Sequence, residues 1–259
     1  MKGVYSIPTN VLSRYTDINI FPNNTYFYDS GGDPKDIPTL TFENLVAFHE
    51  KFYHPSNSKI FVSGVATKYD KMNDTLTIID EYLSEFEENT SIKNQSVVEY
   101  QKKNIETPFT MTYPYQAATG TNDDGNETSS KGQHIVQVSW LLNDEPLTAL
   151  QELALLVLDH LLVMTETSIL KKRLLESQLG DSIVGWGIST SLIQSLFSMG
   201  LNGVKEEHVS DVEQLIIATM MEAADNGFTN DEISASMNTL EFQVSYCIYF
   251  NSSQTNSFI

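Results

Sequence analysis

From Thr41 the apolar residues recur at helical spacing: Leu45, Phe48 and Phe52 fall on one face, Thr41 is suited to cap the segment and Glu43 stands in its first turn. This helix has to end by His54, because Pro55 disfavours helical angles in the residue before it. Lys59 to Val65, KIFVSGV, reads as a buried strand, and a second helix over roughly Asp70 to Phe86 carries Met72, Leu76, Ile79 and Leu83 on its inner face. The first forty residues read instead as turn-rich, with Pro8, the FPNN of Phe21–Asn24 and the SGGDP of Ser30–Pro34. Between Glu87 and Asn104 helical periodicity is lost and the sequence turns polar, which predicts an interdomain linker with a boundary near residue 90. One or two strands are expected within Val97–Tyr115, followed by a polar, acidic and mobile loop from Gln116 to Gly132.

Beyond the loop the period switches to two. Val136, Val138, Trp140 and Leu142 alternate with polar residues, predicting a strand. A helix is expected from Pro146 through LTALQELALLVLDHLLV, then a shorter one, ETSILKKRLLES, stopping at Gly180. Two strands follow, DSIVGWGIS and SLFSMGLNGV, and then a helix with Val209, Val212, Leu215 and Ile216 together, ending at Gly227. The last helix opens with a capping box, Thr229 and Glu232, and is expected to reach about Tyr246. Strand, two helices, two strands and two helices make an α+β sandwich of helices packed on an antiparallel sheet.

Composition narrows the function. The chain has 259 residues, 34 acidic against 15 basic side chains and a formal charge of -19. A polyanion needs clustered Lys and Arg, so no nucleic-acid partner is expected; the acidic excess either attracts basic peptides or simply keeps the surface solvated. Cys247 is the one cysteine, which excludes an internal disulfide framework and any cysteine-rich zinc site. The longest apolar run, LALLVLDHLLVM, is broken by Asp159 and His160 and is shorter than the ~20 residues that span a bilayer, so no membrane segment is expected. No targeting peptide is visible at the N-terminus. Six Asn-x-Ser/Thr sequons, at Asn23, Asn73, Asn89, Asn94, Asn126 and Asn251, are read as a consequence of Asn-rich composition.

The stretch HEKFYHPSN places His49, Glu50 and His54 within six residues. Zinc peptidases set two histidines four apart on a helix, about 40° around it, with a glutamate between them. Here the spacing is five, so His49 and His54 stand about 140° apart, and His54 sits at the broken end before Pro55. The expected role is structural. Asp159 and His160 are adjacent and so point about 100° apart, which favours a satisfied core histidine over a catalytic dyad. His134 and His208 stand near element ends without a companion ligand, Cys247 has no placed base, and SGGDP lacks the strand-to-helix setting of a phosphate loop. No catalytic residue and no metal ligand is assigned.

Several long stretches nevertheless carry a resemblance. MKGVYSIPTNVLSR, FPNNTYFYDSGGDPKDIPTLTFENLVAFHEKFYHPSN, SWLLNDEPLTALQELALLVLDHLL, LLESQLGDSIVGWGIS, GLNGV and DNGFTNDEISASMNTLEF resemble the presequence protease and falcilysin branch of the pitrilysin, or insulinase-type, zinc metallopeptidases. The resemblance implies four homologous α+β domains enclosing a chamber in which oligopeptides such as targeting presequences are degraded. It also implies a zinc held in the first domain by H-x-x-E-H and a downstream glutamate. This chain contains no H-x-x-E-H, so no ligand carries over, and the residues that assist from the fourth domain correspond to sequence beyond Ile259.

On this resemblance residues 1–88 are expected to be the C-terminal part of a first, catalytic-type domain, 89–106 a linker, and 107–259 most of a second, non-catalytic domain. The implied function is that of a piece of a zinc metalloendopeptidase, supplying chamber wall and domain packing but inactive alone, with no cofactor of its own. Its implied partners are peptides and the remaining domains of the same polypeptide, with self-association of the isolated chain, and its implied site is the mitochondrial matrix or another organelle. Two other readings stay open: a stand-alone non-enzymatic pitrilysin-like subunit, and a small metalloenzyme using His49 and His54.

Overall fold

The computed structural model describes residues 2–62, 69–102, 109–115, 120–121, 127–128 and 133–255. In chain order the helices are α1 (Lys2–Tyr5), α2 (Pro8–Ile20), α3 (Phe42–Phe52), α4 (Tyr69–Leu83) and α5 (Thr90–Gln95). The short strands β1 (Gly120–Thr121) and β2 (Glu127–Thr128) and the long strand β3 (Gln133–Leu141) come next. Then follow α6 (Ala149–Asp159), a π-helical turn (His160–Met164), α7 (Ile169–Glu176), β4 (Ser182–Ser189), β5 (Leu196–Lys205), α8 (Val209–Asn226) and α9 (Asn230–Thr255). The chain forms two compact units, a large one of Met1–Phe27 with Tyr100–Ile259 and a small one of Tyr28–Glu99.

In the large unit the strands are antiparallel in the order β3-β5-β4. The register pairs Val136 with Leu201, Val138 with Met199 and Trp140 with Phe197, so the alternating apolar set of β3 meets that of β5 on one face. Onto this face pack Leu162, Leu170, Leu174, Val212 and Ile216 from the helical layer, forming the hydrophobic core. Gly200 is required where β5 runs beside β3, since a Cβ there would stand 1.9 Å from the carbonyl oxygen of Val136. On the other face the middle of β3 and β5 carries small and polar residues, Gln137, Ser139, Ser198 and Gly200. Gln137 on it donates to Thr16 Oγ1 of α2 at 3.0 Å, and Tyr15 and Asn19 of α2 hold Tyr113 by ring stacking and a 3.0 Å hydrogen bond.

These contacts place the segment up to Phe27 with the large unit. They also account for a helix where a turn-rich stretch is expected. Pro8 opens α2 in its first turn, and the helix meets β3 through the polar pair of Thr16 and Gln137.

In the small unit α3 starts as expected, with Thr41 Oγ1 accepting the Asn44 N–H at 3.2 Å, and α4 falls inside the expected helix. The expected strand from Lys59 is not one. Residues 59–62 have no regular structure and Phe61 is 89% exposed, because a strand needs a neighbour to pair with and the small unit supplies none among its described residues. Residues 63–65 lie outside the described residues. Within the expected linker α5 forms instead, capped by Asn89 and burying Ile92. Residues 97–102 and 109–115 have no regular structure where strands are expected, and of the acidic loop only the two-residue ladder of β1 with β2 is described.

Elsewhere in the large unit differences from the pattern are local. α6 begins at Ala149 rather than Pro146, because Thr148 forms a reciprocal capping box with Gln151. The apolar run does not stay α-helical, passing into the π turn after Asp159. α8 ends as expected at Gly227, which has a φ of 66°, and α9 continues past Tyr246 to Thr255.

Candidate functional site

His49 lies on α3 and stacks on the Tyr53 ring with centroids 4.7 Å apart. His54 caps the following 3-10 turn, its Nδ1 accepting the Ser56 N–H at 3.2 Å, and meets the Phe86 ring edge-on. The two histidines therefore have separate aromatic partners, and Glu50 is exposed on α3. Among the described residues no three His, Cys, Asp or Glu side chains converge as a metal ligand set. A resident zinc thus has no fitting cradle in them, and no step can be routed through one.

Asp159 and His160 also diverge. Asp159 is buried, its Oδ1 accepting the Ile188 N–H of β4 at 2.7 Å. Burial pushes its carboxyl above the ordinary value, against the opposing pull of the Ile188 N–H and His160. Gly187 makes this approach possible, because a Cβ there would lie 2.2 Å from Asp159 Oδ1. His160 Nδ1 shares a 2.9 Å hydrogen bond with the buried Ser236 Oγ of α9, and the His160 carbonyl accepts from Ser168 Oγ at 2.8 Å. The pair ties the end of α6 to β4, α9 and the start of α7. A serine beside a histidine has the composition of a nucleophile and base, but Ser236 is 3% exposed and out of a substrate's reach.

His134 is on β3 opposite Val204, and His208 bonds Asp211 at 2.9 Å on the surface. Cys247 falls on the stretch of α9 whose side chains lie outside the described residues. An open cavity of about 390 Å³ is lined by Leu161, Ile169, Phe228, Lys172, Arg173 and Glu232. Its charged groups are already engaged: Arg173 with Glu222 at 2.8 Å, Lys172 with Glu176 at 3.9 Å, and Glu232 with the N–H and hydroxyl of Thr229. These bonds hold the Glu222 and Glu232 carboxyls below their ordinary value. The cavity has the character of a wall between packed helices, with no poised acid, base or nucleophile.

The sequence reading misses a fully bonded, buried polar group, Gln194. It is fully buried, donates to the carbonyls of Asn143 and Gln101 and accepts the Gln101 N–H, while Asn143 Oδ1 accepts the Ser195 N–H at 2.6 Å. Nothing in STSLIQSLF distinguishes this glutamine from a solvated loop residue.

Helices layered on one face of an antiparallel sheet define the class, an α+β sandwich. Residues 39–240 match the family described as the peptidase M16 inactive domain, and the chain belongs to the M16 peptidases. Presequence protease 1 of Arabidopsis thaliana, chloroplastic and mitochondrial, is 45% identical over 94% of this chain and 21% of its own length. The mitochondrial presequence protease of Mus musculus is 31% identical over 95% of this chain and 22% of its own. This chain thus spans about a fifth of the length of those relatives. A crystal structure of a peptidase M16 inactive domain from Pseudomonas fluorescens has the same fold, with a TM-score of 0.56 at 15% identity, covering 93% of this chain and 52% of that one.

Proposed function

We propose that this chain is a non-catalytic part of a zinc metalloendopeptidase that degrades oligopeptides, targeting presequences among them, inside a closed chamber. Its role is to supply chamber wall and packing surface for the remaining domains of the same polypeptide. The observation that carries this reading is that 94% of the chain matches about a fifth of a presequence protease. Zinc belongs to another part of the parent enzyme, and the relatives' names support a mitochondrion or chloroplast as the organelle. The formal charge of -19 supports basic peptides as the substrate class. An isolated copy has a further partner in a second copy of itself.

The test is a graft. The matching segment of the Arabidopsis presequence protease is replaced by this chain, and cleavage of a basic presequence peptide and a neutral peptide of equal length is followed with and without chelator. The expected result is chelator-sensitive cleavage by the chimera, faster for the basic peptide at low salt, with none by this chain alone. A folded but inactive chimera would favour the stand-alone subunit, and zinc retention with chelator-sensitive cleavage by the isolated chain would overturn the proposal.

A further inference from the structure

The chain passes between its two compact units twice, after Phe27 and before Tyr100. On the large-unit side both passages are held by side chains. Arg14 donates to the Phe27 carbonyl, and its guanidinium lies 5.8 Å from the centre of the Phe27 ring. At the return passage Gln194 Oε1 accepts the Gln101 N–H at 2.6 Å, and Nε2 donates to the Gln101 carbonyl at 2.9 Å. One carboxamide thereby gives Gln101 the acceptor and the donor that a neighbouring strand would give it. Its second N–H goes to the Asn143 carbonyl at 2.7 Å, so every hydrogen-bonding position of the amide N–H₂ is used in a site with no exposure.

The two passages are also laced to each other. Gln101 Oε1 accepts the Asn23 N–H at 3.1 Å, and the Tyr26 hydroxyl accepts the N–H of Ile193, the residue before Gln194, at 3.3 Å. On the small-unit side the return passage is fixed by α5, where Asn89 donates its N–H to Ser56 Oγ at 2.9 Å and Ile92 is buried.

We infer that Gln194 is a positioning residue that clamps the return passage at Gln101 to the large unit and, through Gln101 and Ile193, to the segment that leaves it after Phe27. A buried amide suits this task. Its bonds are strong where water is excluded, yet they all fail together once the side chain is removed.

Residue-resolved hydrogen exchange on the full chain tests the inference. In the wild type the Gln101, Asn23 and Ile193 amides should be protected. In Gln194→Ala all three should exchange at least tenfold faster, while the β5 amides of Phe197, Met199 and Leu201 keep their rates. In Gln101→Ala, which spares the backbone bonds, only Asn23 should accelerate. Free-peptide exchange of Gln101 in the wild type, an unchanged Gln101 rate in Gln194→Ala, or β5 amides accelerating in step would each overturn it. Should Gln194→Ala fail to fold, Gln101→Pro deletes the donated N–H and leaves Gln194 in place. Proteolytic cleavage within residues 96–102 should then rise at least tenfold, and an unchanged rate would refute the clamp.

Discussion

At Asp159 a buried carboxylate performs a task that an uncharged side chain could perform as well. Its Oδ1 accepts the Ile188 N–H beside the glycine that permits so close an approach. Burial raises the carboxyl, so the folded chain holds the proton more tightly than the unfolded chain does. The resulting stabilisation is present below the unfolded value, about pH 4, and is lost as pH rises through the raised folded value. Asn at this position keeps the acceptor and removes the charge. Asp159→Asn should therefore match the wild type near pH 4 and exceed it in stability near pH 7.5. Asp159→Ala, which leaves the Ile188 N–H buried without an acceptor, should cost about 1–3 kcal/mol. Urea unfolding at the two pH values measures both, and a wild type–Asn difference that does not change with pH would show that the carboxyl is not raised.

Secondary-structure elements follow from the sequence to the degree that their causes are local. Thr41, Thr229 with Glu232, and Gly227 mark helix ends by bonds and angles within a few residues, and each stands where the pattern predicts. Thr148 is of the same kind, but Pro146 two residues earlier offers a competing start, and only the reciprocal bonds with Gln151 decide between them. Thr148→Ala should lower stability by about 1 kcal/mol and Thr148→Ser by much less; equal losses in thermal unfolding would remove the cap from the account. The elements that escape the pattern depend on distant partners. KIFV carries strand-like residues but has no described strand beside it, and α2 lies on β3 through Thr16 and Gln137, a polar match that no hydrophobic period reveals. The candidate site divides the same way. The spacing of His49 and His54 predicts that they diverge, and they have separate ring partners in Tyr53 and Phe86, whereas the convergence of Gln101, Asn143 and Gln194 exists only in three dimensions.

At the scale of the molecule the two units differ in how they use their apolar residues. The core cluster lies wholly in the large unit, from Leu162 to Ala223. In the small unit Ile92 is the buried apolar side chain among the described residues, while the face that amphipathic spacing gives α3 is open, with Leu45 64% and Phe48 55% exposed. Phe42, Ile60, Phe61 and Val62 are exposed as well. Apolar side chains exposed in such number favour association. The formal charge of -19 opposes it, since like-charged copies repel over a screening length of about 10 Å at 0.1 M salt and 3 Å at 1 M. The isolated chain should therefore self-associate more strongly as salt is raised, the reverse of an assembly held by ion pairs. Light scattering behind size exclusion should give a mass above 29.1 kDa that climbs with concentration and with sodium chloride. Phe61→Lys with Phe48→Glu should return it towards the monomer without lowering the unfolding midpoint of the large unit. A monomer at every concentration and salt would mean that the exposed face does not drive association, and association that weakens with salt would assign it to charge instead.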